Sequence, residues 1–498
     1  MIKNIKWLCL VSLTFIACNN DDDLTDNQVV YTSGTADFSK FVAVGNSLTA
    51  GYTDGALFIK GQENAYPNIL AQQFSLAGGG TFTTPYMADN LGGMVVGSTQ
   101  VVENRLFFNG SGPQRLPGTP STSATTVLTG PFNNMGVPGA KSFHLNLAGY
   151  GALNVYYGRF ASSPTAKIID DAVAQNPTFF SLWIGNNDVL SFATSGGDGV
   201  NQTGNLNPAT YGPNDITDPT VFASVYSNLV NQLTANGAGG VLANIPNVTT
   251  IPYFKTVPTA PLTPTALGGA TNIATLNAQL YGPLNQVFTA FGEPDRVKLL
   301  SATAANPILI YDEDAADRSA QITGALTPIL GLPTATAFGM VFGKARQSTP
   351  NDLVVLPAST VIGTPNSASP SPLINLNGVT YPMADRWVLT PQEQTMVANA
   401  TTAYNNTIAA IAASKNLAFV DANALLNTIA TTGIQSNGFT LTGALVFGNA
   451  FSLDGVHPTS RGYAFMANKF IEAINATYGS NLPPVNIGNY NNLYPAAL

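Results

Sequence analysis

Two histidines occur among the 498 residues, and one of them, His457, lies in the segment DGVHP at positions 454–458. Histidine has an ordinary pKa near roughly 6.5, so its imidazole is able to take up a proton at neutral pH. The most conspicuous partner is Ser47, which follows an apolar run near the other end of the chain. A serine hydroxyl becomes a nucleophile when a neighbouring base removes its proton, and an aspartate such as Asp454 holds the imidazole in the required tautomer. These three residues therefore predict nucleophilic attack on an ester carbonyl.

Short apolar runs that end in polar or glycine-rich residues are the elements that must position this chemistry. Runs of this length predict buried parallel strands, and polar residues at the carboxyl ends of such strands are where open α/β sheets bind ligands. Ser47 follows one run, and Asn187 follows another. The predicted strands are Lys40 to Val44, Phe179 to Ile184, Gly240 to Ile245 and Leu417 to Val420.

Helical patterns lie between these runs. The clearest begins at Thr390, which is able to cap the helix, with Pro391 at the first helical position and Glu393 completing a capping box. This helix is predicted to continue to about Ser414, and others are predicted from Thr220 to Ala235 and from Ser460 to Tyr478. The alternation of strands and helices predicts an α/β fold with a doubly wound, mostly parallel sheet.

Two stretches interrupt the alternation. Residues 191–219 are rich in Gly, Asn, Asp and Pro and predict a long loop, whereas residues 255–386 predict a large insertion that decorates the sheet or covers its active edge. Within that insertion we expect a helix at 274–288 and strands at 307–311 and 353–356. The catalytic domain is accordingly predicted to comprise residues 37–254 and 387–480, followed by a C-terminal tail at 481–498.

The N-terminus has the pattern of an export signal. Lys3 and Lys6 precede an apolar stretch at 7–16 that is too short to span a bilayer, so residues 1–17 are predicted to be a signal peptide. The residues before Cys18 resemble a bacterial lipobox, which implies cleavage there and lipid modification of Cys18. An ordinary signal peptide with an incidental cysteine is the alternative. Residues 18–36 predict a flexible tether, and their acidic run resembles that of surface-exposed lipoproteins, although a solvated linker explains the run as well.

Composition restricts the partners. Charged residues make up only 9% of the chain, its formal net charge is −8, and no basic patch is present, so nucleic acid is excluded as a partner. Outside the signal no run reaches the length of a membrane span. We therefore expect a small-molecule or glycan ester as substrate, and contact with the membrane through the lipid anchor at Cys18. The expected location is the cell envelope, on the outer membrane and exposed at the cell surface.

Four segments in order along the chain together resemble the SGNH/GDSL hydrolase family. They are GNSL at 45–48, NMGVPGA at 134–140, GNND at 185–188 and DGVH at 454–457. The resemblance implies an α/β/α sandwich that hydrolyses esters, with Ser47 as nucleophile, His457 as base and Asp454 as its partner. It also implies an oxyanion hole formed by the backbone N–H groups of Ser47 and Gly139 and by the side-chain amide of Asn187. Gly136 is the alternative to Gly139.

The physics of the reaction agrees with this assignment. Attack on an ester places negative charge on the carbonyl oxygen, and one preorganised donor there contributes roughly 10²–10³ in rate. No metal and no organic cofactor is implied. Asn46 stands where the family has the aspartate of its GDSL motif, which removes a charge beside the nucleophile. Two other functions stay open at this level: a non-catalytic glycan-binding or scaffold lipoprotein on a hydrolase fold, and an acyltransferase.

Overall fold

A five-stranded parallel sheet forms the centre of the computed structural model, which describes residues 29–498. Its strands are β1 (Phe41–Gly45), β2 (Asn134–Gly136), β3 (Phe179–Trp183), β4 (Gly239–Ala243) and β5 (Ala418–Val420). They lie in the order β5-β4-β3-β1-β2, and every pairing is parallel. The four strands that the apolar runs predicted are present within two residues of the expected ends. The edge strand β2 was not predicted, because only Met135 of its three residues is apolar, so no apolar run marks it.

The helices that flank the sheet pack in two groups. Ser460–Tyr478 contacts β4 and β5 and packs on the helix Tyr66–Ser75. The second group comprises Ile168–Val173, Asn187–Thr194, Pro219–Leu233 and Pro391–Ser414. Every residue of β1 and β3 is buried, which explains why these strands read as continuous apolar runs rather than alternating ones. The chain is therefore an α/β protein with helices packed around a parallel sheet.

Capping residues determine where two of the predicted helices begin. Thr390 donates its backbone N–H to Glu393 Oε2 at 2.6 Å, which is the reciprocal bond of the expected capping box, and the helix ends at Ser414. The helix predicted from Thr220 begins one residue earlier, because Asp218 accepts hydrogen bonds from the first-turn backbone. The helix Ser460–Tyr478 has the predicted bounds.

The insertion at residues 255–386 contributes no strand to the central sheet. Its strand Leu309–Tyr311 pairs with Ala345–Gln347, and Leu353–Val354 pairs with Val388–Leu389 beyond the insertion. The helix expected at 274–288 is continuous but contains a π-helical turn at Asn277–Tyr281, between Gly269–Leu276 and Gly282–Ala290. Two further helices, Ser319–Leu330 and Leu332–Phe342, pack against each other. Buried residues of the insertion are continuous with the main core, so the boundaries at 255 and 386 stay a prediction.

The remaining helices and strand pairs lie outside the central sheet and the two helix groups. They are the helices Ser47–Ala50, Ile59–Glu63, Val155–Gly158, Pro252–Lys255 and Ala422–Thr431, and the strand pairs Met94–Val96 with Thr99–Val102, Leu106–Phe108 with Pro113–Arg115, and Ile434–Ser436 with Phe439–Leu441. The tail at 481–498 packs on the body, where Arg105 Nη2 donates to Pro495 O at 2.6 Å. Among residues 29–498, none of the helices combines the length and apolarity that a membrane span needs. The predicted signal peptide and Cys18 lie outside the described residues.

Candidate active site

Ser47 begins a one-turn helix immediately after β1, at the carboxyl edge of the sheet. The preceding residue, Asn46, is fully buried, and its Oδ1 accepts the backbone N–H of Leu48 at 3.0 Å. This is an ordinary helix cap, which amide and carboxylate oxygens serve equally well. At Gly45 a Cβ would meet Thr49 Oγ1 at 2.2 Å and Trp183 O at 2.4 Å, so only glycine fits there. The tight turn from strand to helix thus places the Ser47 hydroxyl above the sheet, and the family aspartate is not needed for the cap.

The Asp454 carboxylate is saturated with hydrogen bonds. Its Oδ1 accepts the backbone N–H groups of Val456 and His457 and the Ser452 hydroxyl, at 2.9–3.0 Å. Its Oδ2 accepts the backbone N–H of Gly55 at 2.9 Å and His457 Nδ1–H at 2.8 Å. Burial by itself would raise the pKa of Asp454, but the histidine charge and these donors lower it to about 2. The carboxylate is therefore ionised and fixed in orientation at neutral pH.

The structure brings the three predicted residues together. His457 Nε2 lies 2.9 Å from Ser47 Oγ, although the two residues are 410 positions apart in sequence. An ionised carboxylate only accepts hydrogen bonds, so the Nδ1 beside Asp454 carries the imidazole proton. In this tautomer Nε2 is unprotonated and accepts the serine hydroxyl. The chain thus holds the connected arrangement Ser47–His457–Asp454, and its catalytic role stays a prediction.

Tyr52 is a member of the site that the sequence did not indicate. Its ring centroid lies 4.6 Å from that of the His457 imidazole, at an interplanar angle of 45°. The Tyr52 hydroxyl donates to Gly55 O at 2.8 Å, and the Gly55 N–H in turn donates to Asp454. Tyr463 fixes the Tyr52 backbone by donating to its carbonyl at 2.7 Å. Tyr52 therefore supports both the imidazole and its carboxylate partner. The sequence did not indicate this role, because an aromatic residue five positions after a serine is not a distinctive pattern.

The predicted oxyanion donors have different surroundings. Asn187 Nδ2 donates one hydrogen to Ala140 O at 2.9 Å, which leaves its second hydrogen for another acceptor. Within residues 29–498, neither Ser47 N–H nor Gly139 N–H has a protein acceptor. Gly136, the alternative to Gly139, donates its N–H to Asn134 Oδ1 at 3.0 Å. This bond favours Gly139 as the donor of that segment, and the oxyanion role of all three groups stays a prediction.

The second histidine and the last residue of the GNND segment have structural surroundings. His144 Nδ1 accepts the backbone N–H of Lys141 at 3.0 Å, and its ring stacks on Tyr150 at 4.4 Å. Burial, together with the charge of Lys141, lowers the pKa of His144 to about 4, so it is neutral at pH 7. Asp188 is fully buried and accepts both the N–H and the hydroxyl of Ser142, at 2.8 and 2.7 Å. These bonds fix the chain just beyond Gly139.

A cavity of about 80 Å³ adjoins the Ser47 hydroxyl and the His457 ring. The polar side chains that line it belong to three of the motif segments, 45–48, 185–188 and 454–457. They are Asn46, Ser47, Asn186, Asn187 and His457. The remaining walls are apolar. They come from Leu48, Trp183, Leu190, Pro246, Val248, Ile251, Ala422, Leu426, Ile429, Leu441, Ala450, Phe451, Val456, Pro458, Gly462, Phe465 and Met466. The sequence did not indicate this cavity, because its lining is drawn from six separate segments.

Comparisons with known proteins add little to this description. No protein-family model matches the chain, and no curated protein matches it. A solved structure that aligns with it is a mutant acetyl-xylooligosaccharide esterase from Geobacillus Stearmophilus. The two chains are 11% identical, the alignment covers 89% of this chain and 96% of that one, and the TM-score is 0.31. A likeness this low carries no argument about fold or function, which are argued below from the geometry of the site.

Proposed function

We propose that this chain is a serine ester hydrolase with an SGNH-type active site on an α/β/α sandwich. The observation that carries the proposal is the pair of contacts of His457, to Ser47 Oγ at 2.9 Å and to Asp454 Oδ2 at 2.8 Å. Both distances are within hydrogen-bond reach, which is the geometric condition for a base and its nucleophile. Support for the sandwich comes from the two groups of helices packed around the parallel sheet.

The proposed reaction begins when Ser47 Oγ attacks the carbonyl carbon of the ester and His457 Nε2 takes the hydroxyl proton. The tetrahedral intermediate collapses when the proton on Nε2 passes to the leaving alcohol, which leaves an acyl-serine. Water then attacks the acyl-serine and gives its proton to Nε2. Release of the carboxylic acid returns that proton to Ser47 Oγ. Asp454 stays ionised throughout and stabilises the imidazolium that forms twice in each cycle.

In this proposal the Ser47 and Gly139 N–H groups and the Asn187 amide donate hydrogen bonds to the negatively charged carbonyl oxygen of each tetrahedral intermediate. Supporting this assignment, the two backbone donors have no acceptor within the described part of the chain, and one amide hydrogen of Asn187 is likewise uncommitted. The Asn187 side chain is oriented by its bond to Ala140 O, so it requires little reorganisation during the reaction.

Hydrolysis of nitrophenyl esters tests this function. The purified mature chain is compared with Ser47→Ala and with the control Ser39→Ala, which alters an exposed serine outside the site. We expect release of nitrophenol by the wild type and the control, and a loss of at least about 10³-fold in Ser47→Ala. A fluorophosphonate probe is expected to label wild type and control but not Ser47→Ala. Equal hydrolysis by all three proteins, or no hydrolysis and no labelling of the wild type, would exclude the proposal and favour a non-catalytic binding protein.

We also propose that the enzyme is held at the cell envelope by lipid on Cys18. The support is the sequence of residues 1–36, with its short apolar segment before Cys18 and its polar, acidic tether after it. The test is expression of the full chain and of Cys18→Ala with radiolabelled palmitate in a bacterial host. We expect label and membrane fractionation for the wild type only. Labelling of Cys18→Ala to the same extent contradicts the anchor.

A further inference from the structure

We infer that the apolar cavity beside Ser47 is the pocket for the acyl chain, and that it selects acyl groups of about four or five carbons. This inference rests on the proposed function, because it describes the acyl half of the same ester. It goes further by assigning a substrate class to a cavity that the four motif segments do not explain.

The cavity is divided by polarity. Its hydrogen-bonding groups lie on Ser47, His457, Asn187 and their immediate neighbours, where the ester carbonyl would react. Trp183 is the only other lining residue with a side-chain donor, and its Nε1 donates to Asn244 O at 3.1 Å. The walls away from the motif residues therefore offer a ligand no free polar side chain. A sugar ring or a hydroxylated acyl group would lose its hydrogen bonds to water there without replacement, whereas an alkyl chain would not.

The size of the cavity limits the length of that alkyl chain. An engineered apolar cavity of roughly 150 Å³ admits benzene, with its six carbon atoms. A cavity of about 80 Å³ is about half as large and has room for three or four carbons beyond the ester carbonyl. That length corresponds to a butanoyl or pentanoyl group. An acetyl group would leave most of the apolar wall without contacts, and the outer carbons of a chain of eight or more would extend beyond the apolar walls.

The helix Ala422–Thr431 supplies a wall that can be altered without disturbing the catalytic groups. Leu426 and Ile429 of this helix line the cavity. Leu426 is only partly buried, so its truncation is tolerable for folding. The adjacent Leu425 is also partly buried against the core, but it does not line the cavity. Leu425→Ala is therefore a matched control for Leu426→Ala, since both remove the same three carbon atoms from the same helix.

The experiment measures kcat/KM for nitrophenyl esters with acyl groups of two, four, five, six, seven, eight and twelve carbons. The proteins compared are the mature chain, Leu426→Ala, Leu426→Trp and Leu425→Ala. Burial of each methylene contributes about fourfold to kcat/KM. We expect the wild type to prefer four or five carbons over acetate by at least about tenfold and to decline at eight. Leu426→Ala is expected to move the optimum to six to eight carbons. Leu426→Trp should move it to two, and Leu425→Ala should leave the profile unchanged.

The outcomes separate this inference from the proposed function. A profile that depends on Ser47 but peaks at acetate, or that Leu426→Ala and Leu426→Trp leave unchanged, overturns the acyl pocket while the hydrolase function stands. Equal shifts of the optimal chain length in Leu425→Ala and Leu426→Ala also overturn the acyl pocket, because they would show a general effect on the helix and not a change in the size of the cavity. A wild type that neither hydrolyses any ester nor reacts with the fluorophosphonate probe overturns both the acyl pocket and the hydrolase function.

Discussion

Replacement of Asp454 by asparagine tests the hydrogen-bond arrangement around the imidazole directly. The three donors on Oδ1 fix that atom as the amide oxygen, so the asparagine NH₂ takes the place of Oδ2. There it faces Gly55 N–H and His457 Nδ1, which both donate to the wild-type carboxylate at 2.8–2.9 Å. Nδ1 must then lose its proton to accept the amide, and Nε2–H points at Ser47. The imidazole in this tautomer is unable to take the serine proton.

The expected magnitude follows from this change of tautomer. The equivalent substitution in a serine protease triad lowers kcat by about 10⁴-fold, or about 5 kcal/mol of transition-state stabilisation. We expect a loss of the same order in kcat for nitrophenyl butanoate, with little change in KM, because the asparagine touches no substrate. The folded state also loses the hydrogen bonds that Gly55 N–H and His457 Nδ1–H donate to Oδ2, so a lower melting temperature is expected for this variant.

The control for this variant is Asp54→Asn, which removes a buried carboxylate two hydrogen bonds away. Asp54 accepts Leu453 N–H at 3.1 Å, and the His457 side chain is hydrogen-bonded to Asp454 and Ser47 instead, so replacement of Asp54 should leave kcat within about threefold of the wild type. Circular dichroism confirms folding of both variants before the assay. If Asp454→Asn keeps more than a tenth of the wild-type kcat, or if Asp54→Asn loses as much as Asp454→Asn, the role given to Asp454 is wrong.

Three further predictions concern other groups of the site and the core. Tyr52→Leu removes the ring that packs on His457 and should lower kcat about tenfold at constant KM in the same assay, whereas an unchanged kcat would show that Asp454 alone orients the imidazole. Asn187→Ala removes a proposed oxyanion donor and should lower kcat by roughly 10²–10³; a change in KM alone would contradict that role. Burial raises the pKa of Glu393 to about 8 in the folded protein. The protonated carboxyl therefore contributes its full share to the free energy of unfolding below about pH 4.5. That share is lost as the pH rises through 8, by at most about 1.4 kcal/mol per pH unit. Glu393→Gln should therefore raise the melting temperature at pH 9 relative to the wild type but not at pH 4, and an equal effect at both pH values would contradict it.

Local patterns were sufficient to predict the strands that carry the nucleophile and Asn187, because both are buried on two faces and end abruptly in polar residues. The pairing of Ser47 with His457 was predicted from motif order and the scarcity of histidine, and the structure places the two residues in contact. Edge strand β2 was missed because Asn134 and Gly136 flank its single apolar residue, Met135, whereas β5 is apolar throughout. Tyr52 was missed because its contact with the imidazole depends on the turn after the helix Ser47–Ala50, which no periodicity reveals.

The cavity was beyond sequence reasoning for a different reason. Trp183, Leu426 and Phe465 are ordinary core residues by type, and each lies in a different element of the fold. Only the packing of the helices Ala422–Thr431 and Ser460–Tyr478 around the end of the sheet leaves a space between them. The expectation of a small-molecule or glycan ester, which was drawn from composition, had no physical connection to this space.

The distance along the chain between the hydroxyl and the imidazole has a consequence during biosynthesis. A ribosome must add 410 residues after Ser47 before the base exists, so the Ser47–His457 pair is absent during most of the synthesis of this segment. Arg105 donates hydrogen bonds to the carbonyls of Pro495 and Ala496, which are synthesised 390 and 391 residues later. Truncation that removes His457 and the residues after it would leave the Ser47 turn without the base that deprotonates its hydroxyl.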